Sequence, residues 1–379
     1  MQERFEMAVL VVFAWIVKLL FLLYRAIPFS LPFGALLFLV KRYWFAQQPD
    51  CIFWYLTVAA AVFMAIVTQK HQYTKDNPYR AYIGWYGRLE KMADGLIAWI
   101  GTVKYFTSPL GLVEDPGSYR IRGEDVRSLI DSELRPGDIL LRGFDGYLDG
   151  LMMKFTGGGE GMGMNFSHAA LYLGDLNDTR DKPIVARRLQ VLDDKGLWVE
   201  ATPDQQNAVR DDEKYYKEGR QKVVHSMTRG VFVEDILTFL RCDYLAVLRL
   251  PQTFRLSPQE RAEDHSLIAN LAPDAENIRQ MLLNGQAVTS AEVLEAVHLS
   301  ALGKIGSCYD FQFNDAKTHQ RFSCSEYVYY CFKSVHCYIG LELKKHAFLK
   351  IFFPRTTITP SDIYDAAIKH KKLDVIWPR

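Results

Sequence analysis

The stretch from Arg321 to Phe332, RFSCSEYVYYCF, sets a cysteine where helix physics would make its thiol reactive. Ser323 and Glu326 have capping-box spacing, so Ser323 is expected as N-cap, Cys324 as the first helical residue and Glu326 as N3. Val328, Cys331, Phe332 and Val335 recur at i, i+3, i+4 and i+7, which predicts one buried stripe along that helix. A free thiol titrates at about 8.5, and both a helix N-terminus and a neighbouring imidazolium favour the thiolate. The chemistry this would serve is nucleophilic attack. The competing reading is a buried structural thiol, the ordinary fate of an unpaired cysteine.

A thiolate nucleophile needs an imidazole to take and return its proton, and a third group to hold that imidazole. Among the nine histidines, His168 opens an apolar strand, Asn165 to Asp175, whose alternation sets His168, Ala170 and Tyr172 on one face and Ala169, Leu171 and Leu173 on the other. His225 also sits in a strand-like run, whereas His319, His336 and His346 fall in loops or basic surroundings. Glu200, on the strand-like segment 197–201, is a carboxylate in an apolar setting that needs a partner. The glycine-rich segment 157–163, with Met162 and Met164, lacks the Gly-Lys-Ser/Thr of a phosphate cradle and reads as a lid or adaptable apolar rim. The six cysteines form neither a CxxC pair nor a disulfide framework, which implies a reducing compartment; no metal and no cofactor is expected.

The elements that must position these groups are short strands at 139–141, 165–175, 197–201, 223–225, 245–250 and 373–377. Helices are expected at 233–240, across the charged insertion 251–286, at 290–301 and after Thr359. The first seventy residues differ: apolar runs at 8–23, 29–40 and 51–67 approach the ~20 residues a membrane-spanning helix needs, and three membrane segments are predicted. Basic residues from Lys70 to Lys91 then favour a cytosolic position for the remainder. Residues 81–107 mix aromatic with charged side chains in the manner of an interfacial helix, and 109–117 read as a linker. The chain thus divides into membrane segments to residue 70, an interfacial stretch and linker at 71–128, and a catalytic domain at 129–379. With a net charge of +1, nothing suggests nucleic acid as a partner; the lipid bilayer is the expected one.

Five segments in order, Pro136-Gly137-Asp138-Ile139-Leu140, Ser167 to Gly174, Val199-Glu200-Ala201, Tyr309-Asp310 and Phe322 to Glu326, resemble the circularly permuted NlpC-like papain-fold cysteine hydrolases of the YiiX branch, relatives of the lecithin:retinol acyltransferases. The likeness covers about residues 130–370. It implies an α+β fold with a small antiparallel sheet packed on the cysteine helix, Cys324 as nucleophile, His168 as base and Glu200 as orienting acid, with Asp175 or Asp193 as alternatives. Tyr309, Ser167 and Ser325 would support the active site, Tyr309 bordering an oxyanion site. Hydrolysis of an amide, ester or thioester of a lipid-like, acylated or peptide substrate would follow, with acyl transfer, cell-wall amidase activity or a non-catalytic membrane scaffold as alternatives. The location implied is the bacterial inner membrane, the catalytic domain on its cytosolic face.

Overall fold

The computed structural model describes residues 33–43, 50–71, 105–107, 111–113, 118–144, 166–176, 183–194, 197–217, 219–263, 273–311, 313, 316–346 and 355–378, with single residues between 16 and 30 and at 95. Contacts divide the chain into two compact units, one over Met1–Leu96 with Ala347–Pro354 and one over Ile97–His346 with Arg355–Arg379.

In the first unit the third apolar run forms helix α1, Asp50–His71. Ala61 and Ala65 are buried with Leu22 of the first run and with Ala26 just beyond it, while Trp54, Tyr55, Leu56 and Phe63 are exposed. Among the described residues no helix is long and apolar enough to cross a membrane. This corrects the expected N-terminal membrane helices. Within α1 the Thr57 hydroxyl donates to the Phe53 carbonyl at 2.8 Å, and the helix ends in polar Gln69, Lys70 and His71. The expected interfacial helix and the glycine-rich segment 157–163 lie almost wholly outside the described residues.

The second unit is mixed helix and sheet around six antiparallel strands: β1 Ile139–Gly143, β2 His168–Asp175, β3 Gln221–Met227, β4 Gly230–Asp235, β5 Tyr244–Arg249 and β6 Asp374–Pro378, in the order β6-β5-β1-β2-β3-β4. Valine, isoleucine and leucine alternating across both faces explain why strands form and why both faces are covered. One face carries Ile139, Leu141, Ala169, Leu171 and Val224 into a core completed by helices α3, Ser290–Gly303, α4, Cys324–Cys331, and α5, Pro360–His370. The other face carries Leu140, Ala170, Tyr172, Val223 and Val247 against the short helix α2, Ile236–Phe239, and Leu129.

Segment 233–240, expected as helix, is divided: Val233–Asp235 end β4, and Asp235 then caps α2 through the Leu237 N–H at 2.9 Å. The insertion expected as one helical stretch contains two described helices, Pro258–Glu263 and Pro273–Leu283.

Candidate active site

Helix α4 begins as its sequence requires. Ser323 is extended, its Oγ accepts from the Glu326 N–H at 3.4 Å, and the Glu326 carboxylate accepts from the Ser323 N–H at 3.0 Å. Glu326 is buried and also accepts from the Thr357 hydroxyl at 2.5 Å. Burial, with Asp310 nearby, holds its carboxyl above the ordinary range. Cys324 is therefore the first helical residue, buried, on a helix whose remaining side chains pack into the core over β2 and β3.

Two hydrogen bonds fix where that helix tip sits. Ser226 Oγ donates to the Phe322 carbonyl at 2.7 Å, which ties the approach to α4 to the end of β3. Ser325 Oγ donates to the Ile358 carbonyl at 2.6 Å, which ties the first turn of α4 to the segment before α5. Tyr309 belongs to a two-residue strand paired in parallel with Arg321–Phe322, so its backbone lies beside the chain leading to Cys324 while its ring meets Phe311 edge-on. Ser167 is buried, and its Oγ has no hydrogen-bond partner among the described residues.

His168 is brought to His225 and not to Glu200. The β2–β3 ladder is paired from Leu171↔Val224 onward, so His168–Ala170 and His225–Met227 lie beyond its last rung while still held by the outer ladders to β1 and β4. Across this open seam His168 Nε2 and His225 Nδ1 stand 2.7 Å apart. His225 Nε2 in turn faces Glu234 Oε2 at 3.6 Å, and the other oxygen of Glu234 accepts from Lys217 Nζ at 2.6 Å. Arg142 closes the cluster. Its Nη1 donates to the Phe239 carbonyl at 3.0 Å and lies 3.9 Å from Glu234, with the guanidinium over the Phe239 ring. Burial first, and then the charge of Arg142, holds both imidazoles well below their usual range, so both are neutral at physiological pH.

Glu200 is exposed on a three-residue strand paired with Gln190–Leu192, outside the six-stranded sheet. Glu200 was expected beside His168; the side chain within hydrogen-bond distance of the His168 ring is that of His225, from the strand that follows the charged insert. Asp175 is ion-paired with Arg220 at the far end of β2, and Asp193 closes a turn by accepting from the Leu197 N–H at 2.8 Å. Neither meets His168.

The alternation of β2 adds a constraint. Ala169, Leu171 and Leu173 face α4, whereas His168 leans with Ala170 to the face of α2, its ring 5.8 Å from that of Phe239. Cys324 and His168 therefore share an end of the sheet and lean to different sides of it. No protein-family model matches the chain, and neither the curated proteins nor the solved structures contain a match to it.

Proposed function

We propose that the chain is a cysteine hydrolase acting on an amide, ester or thioester through an acyl-thioester on Cys324, with His168 as the base and His225 as its positioning residue. The observation that carries this reading is the His168–His225–Glu234 series at the same sheet end as the capped tip of α4. Its direction follows from the acceptors. Glu234 favours the proton of His225 on Nε2, so His225 Nδ1 accepts from His168 Nε2–H, and His168 Nδ1 is left with the lone pair. That atom would take the Cys324 proton, the thiolate would attack the carbonyl carbon, and the departing amine, alcohol or thiol would take the proton back. The ordered motifs around His168 and Cys324, similar to those of permuted NlpC-like hydrolases, support the same assignment.

The lean of His168 toward Phe239 favours a second reading, in which the two imidazoles, Arg142 and Glu234 are a buried structural cluster and the chain is a scaffold without catalysis. Peptide-resolved alkylation of Cys324 by iodoacetamide separates the two. In the hydrolase, His168→Ala and His225→Ala each slow labelling of Cys324 by about tenfold or more at pH 7, since each removes a favourable term for the thiolate. Equal rates in all three proteins would sink the enzymatic reading. Incubation with an acyl thioester in the presence of an added amine then distinguishes hydrolysis from acyl transfer by its product.

A further inference from the structure

Beyond α4 the chain makes a thiol–imidazole contact, remote from Cys324. Cys337 is exposed, and its Sγ lies 3.2 Å from Nε2 of the buried His336. The other ring nitrogen of His336, Nδ1, stands 2.7 Å from the Lys333 carbonyl oxygen. A carbonyl can only accept, so the imidazole proton is on Nδ1, and Nε2 presents its lone pair to the thiol. Tyr329 packs edge-on against the ring at 5.2 Å and holds its plane; its phenol is pushed up to about 12 by burial and stays neutral. The Lys333 amine is turned away to His319. A helix of eight residues, about 12 Å at 1.5 Å per residue, separates this pair from Cys324. The pair therefore takes no part in chemistry at the tip of α4.

We propose that Cys337 with His336 is a modification site that forms mixed disulfides with low-molecular-weight disulfides. The thiol proton passes to Nε2 of His336, and the Cys337 thiolate attacks one sulfur of the disulfide RSSR. A Cys337–S–S–R bond forms as the old S–S bond breaks, and the departing RS⁻ takes the proton from the imidazolium to leave as RSH. The two oxidising equivalents come from RSSR itself. Cys242 and Cys331 differ from it: Cys242 is buried and its thiol is pushed up to about 12, and Cys331 lies inside the core with its thiol pushed higher still.

The test exposes the full chain to glutathione disulfide between pH 6 and pH 9, with each cysteine followed by peptide-resolved mass spectrometry and the exposed Cys51 as internal reference. Cys337 is expected to be thiolated at least tenfold faster than Cys51 at pH 7. Its rate should level off below pH 8, where that of an ordinary thiol still falls about tenfold per unit. His336→Gln should bring Cys337 down to the rate of Cys51. Should that variant fail to fold, the wild-type profile alone decides. A Cys337 rate that rises in step with Cys51 across the range, or one that His336→Gln leaves unchanged, overturns the proposal.

Discussion

At the scale of single residues the start of α4 depends on Glu326, which does two jobs with one carboxyl. It closes the cap on Ser323 and accepts from Thr357, and because it is buried near Asp310 its neutral form is favoured. Glutamine has the same shape and offers an oxygen to Ser323 and an amide to Thr357. Glu326→Gln is therefore expected to hold the fold and the cap, whereas Glu326→Ala leaves a buried N–H and a buried hydroxyl unpaired and should cost roughly 2–4 kcal/mol. Urea unfolding of the two variants checks this, and equal losses would show that the cap is not what fixes the helix tip. Gly137 makes a similar demand. It has φ 95° in the turn before β1, and a Cβ there would stand 2.0 Å from Cδ2 of Leu294. Gly137→Ala is strained in backbone and side chain alike, so a loss of more than about 1 kcal/mol is expected in the same experiment.

At the scale of elements, the site is an arrangement of a helix tip and an open strand seam, joined by the bond from Ser226 to the Phe322 carbonyl. Removing it by Ser226→Ala should cost about 1 kcal/mol, the net worth of a buried hydrogen bond, and should raise the alkylation rate of Cys324 by freeing the approach to α4. If stability falls while Cys324 is labelled at the wild-type rate, the bond holds the fold and not the site. Much of this arrangement was legible in the chain itself. The capping box at Ser323, the strands near 139–141, 165–175 and 245–250, and the cap at Ser290 are local signals, and they lie within a few residues of where the elements form. Thr289 takes the cap in place of Ser290, a shift of one residue. Pairing is not local. Glu200 looked like the neighbour of His168 because its segment is the next strand-like run, yet the insert folds back on itself as a separate two-stranded ribbon and hands the neighbouring place to β3. The signal for His225 was present in Lys222-Val223-Val224-His225 followed by a turn and Gly230-Val231-Phe232-Val233, a hairpin pattern that fixes β3 beside β4. The apolar runs near the N-terminus misled for another reason, since length and mean apolarity alone do not distinguish a span from a packed helix.

At the scale of the whole second unit, the charge states of its buried groups fix how it responds to pH. His168 and His225 are held well below the usual imidazole range by burial, and His319, beside Lys333 and Lys304, is lowered to about 3. Near pH 6.5 and below, the unfolded chain binds protons at these three histidines that the folded chain excludes, so stability is full above about 6.5 and lost as pH falls. Glu326 acts in the opposite sense: raised in the folded chain, it binds a proton that the unfolded chain releases above about 4.5, so its contribution declines as pH rises. Between about pH 6.5 and 4.5 the histidines outnumber it, and the net is up to two protons, or at most about 2.7 kcal/mol per pH unit. Above 6.5 only the shallower loss from Glu326 remains among these groups. The unit is therefore expected to be most stable near neutrality, with a steep acid limb. Urea unfolding free energies measured at half-unit intervals from pH 4.5 to 8 would show it. His319→Gln should flatten the acid limb by up to about 1.4 kcal/mol per unit whatever it does to the absolute stability, because the slope counts protons and not contacts. A free energy that only falls as pH rises from 4.5 to 6.5, the slope that Glu326 gives by itself, would mean that the imidazoles are charged in the fold, and the lone pair required on His168 would then be absent.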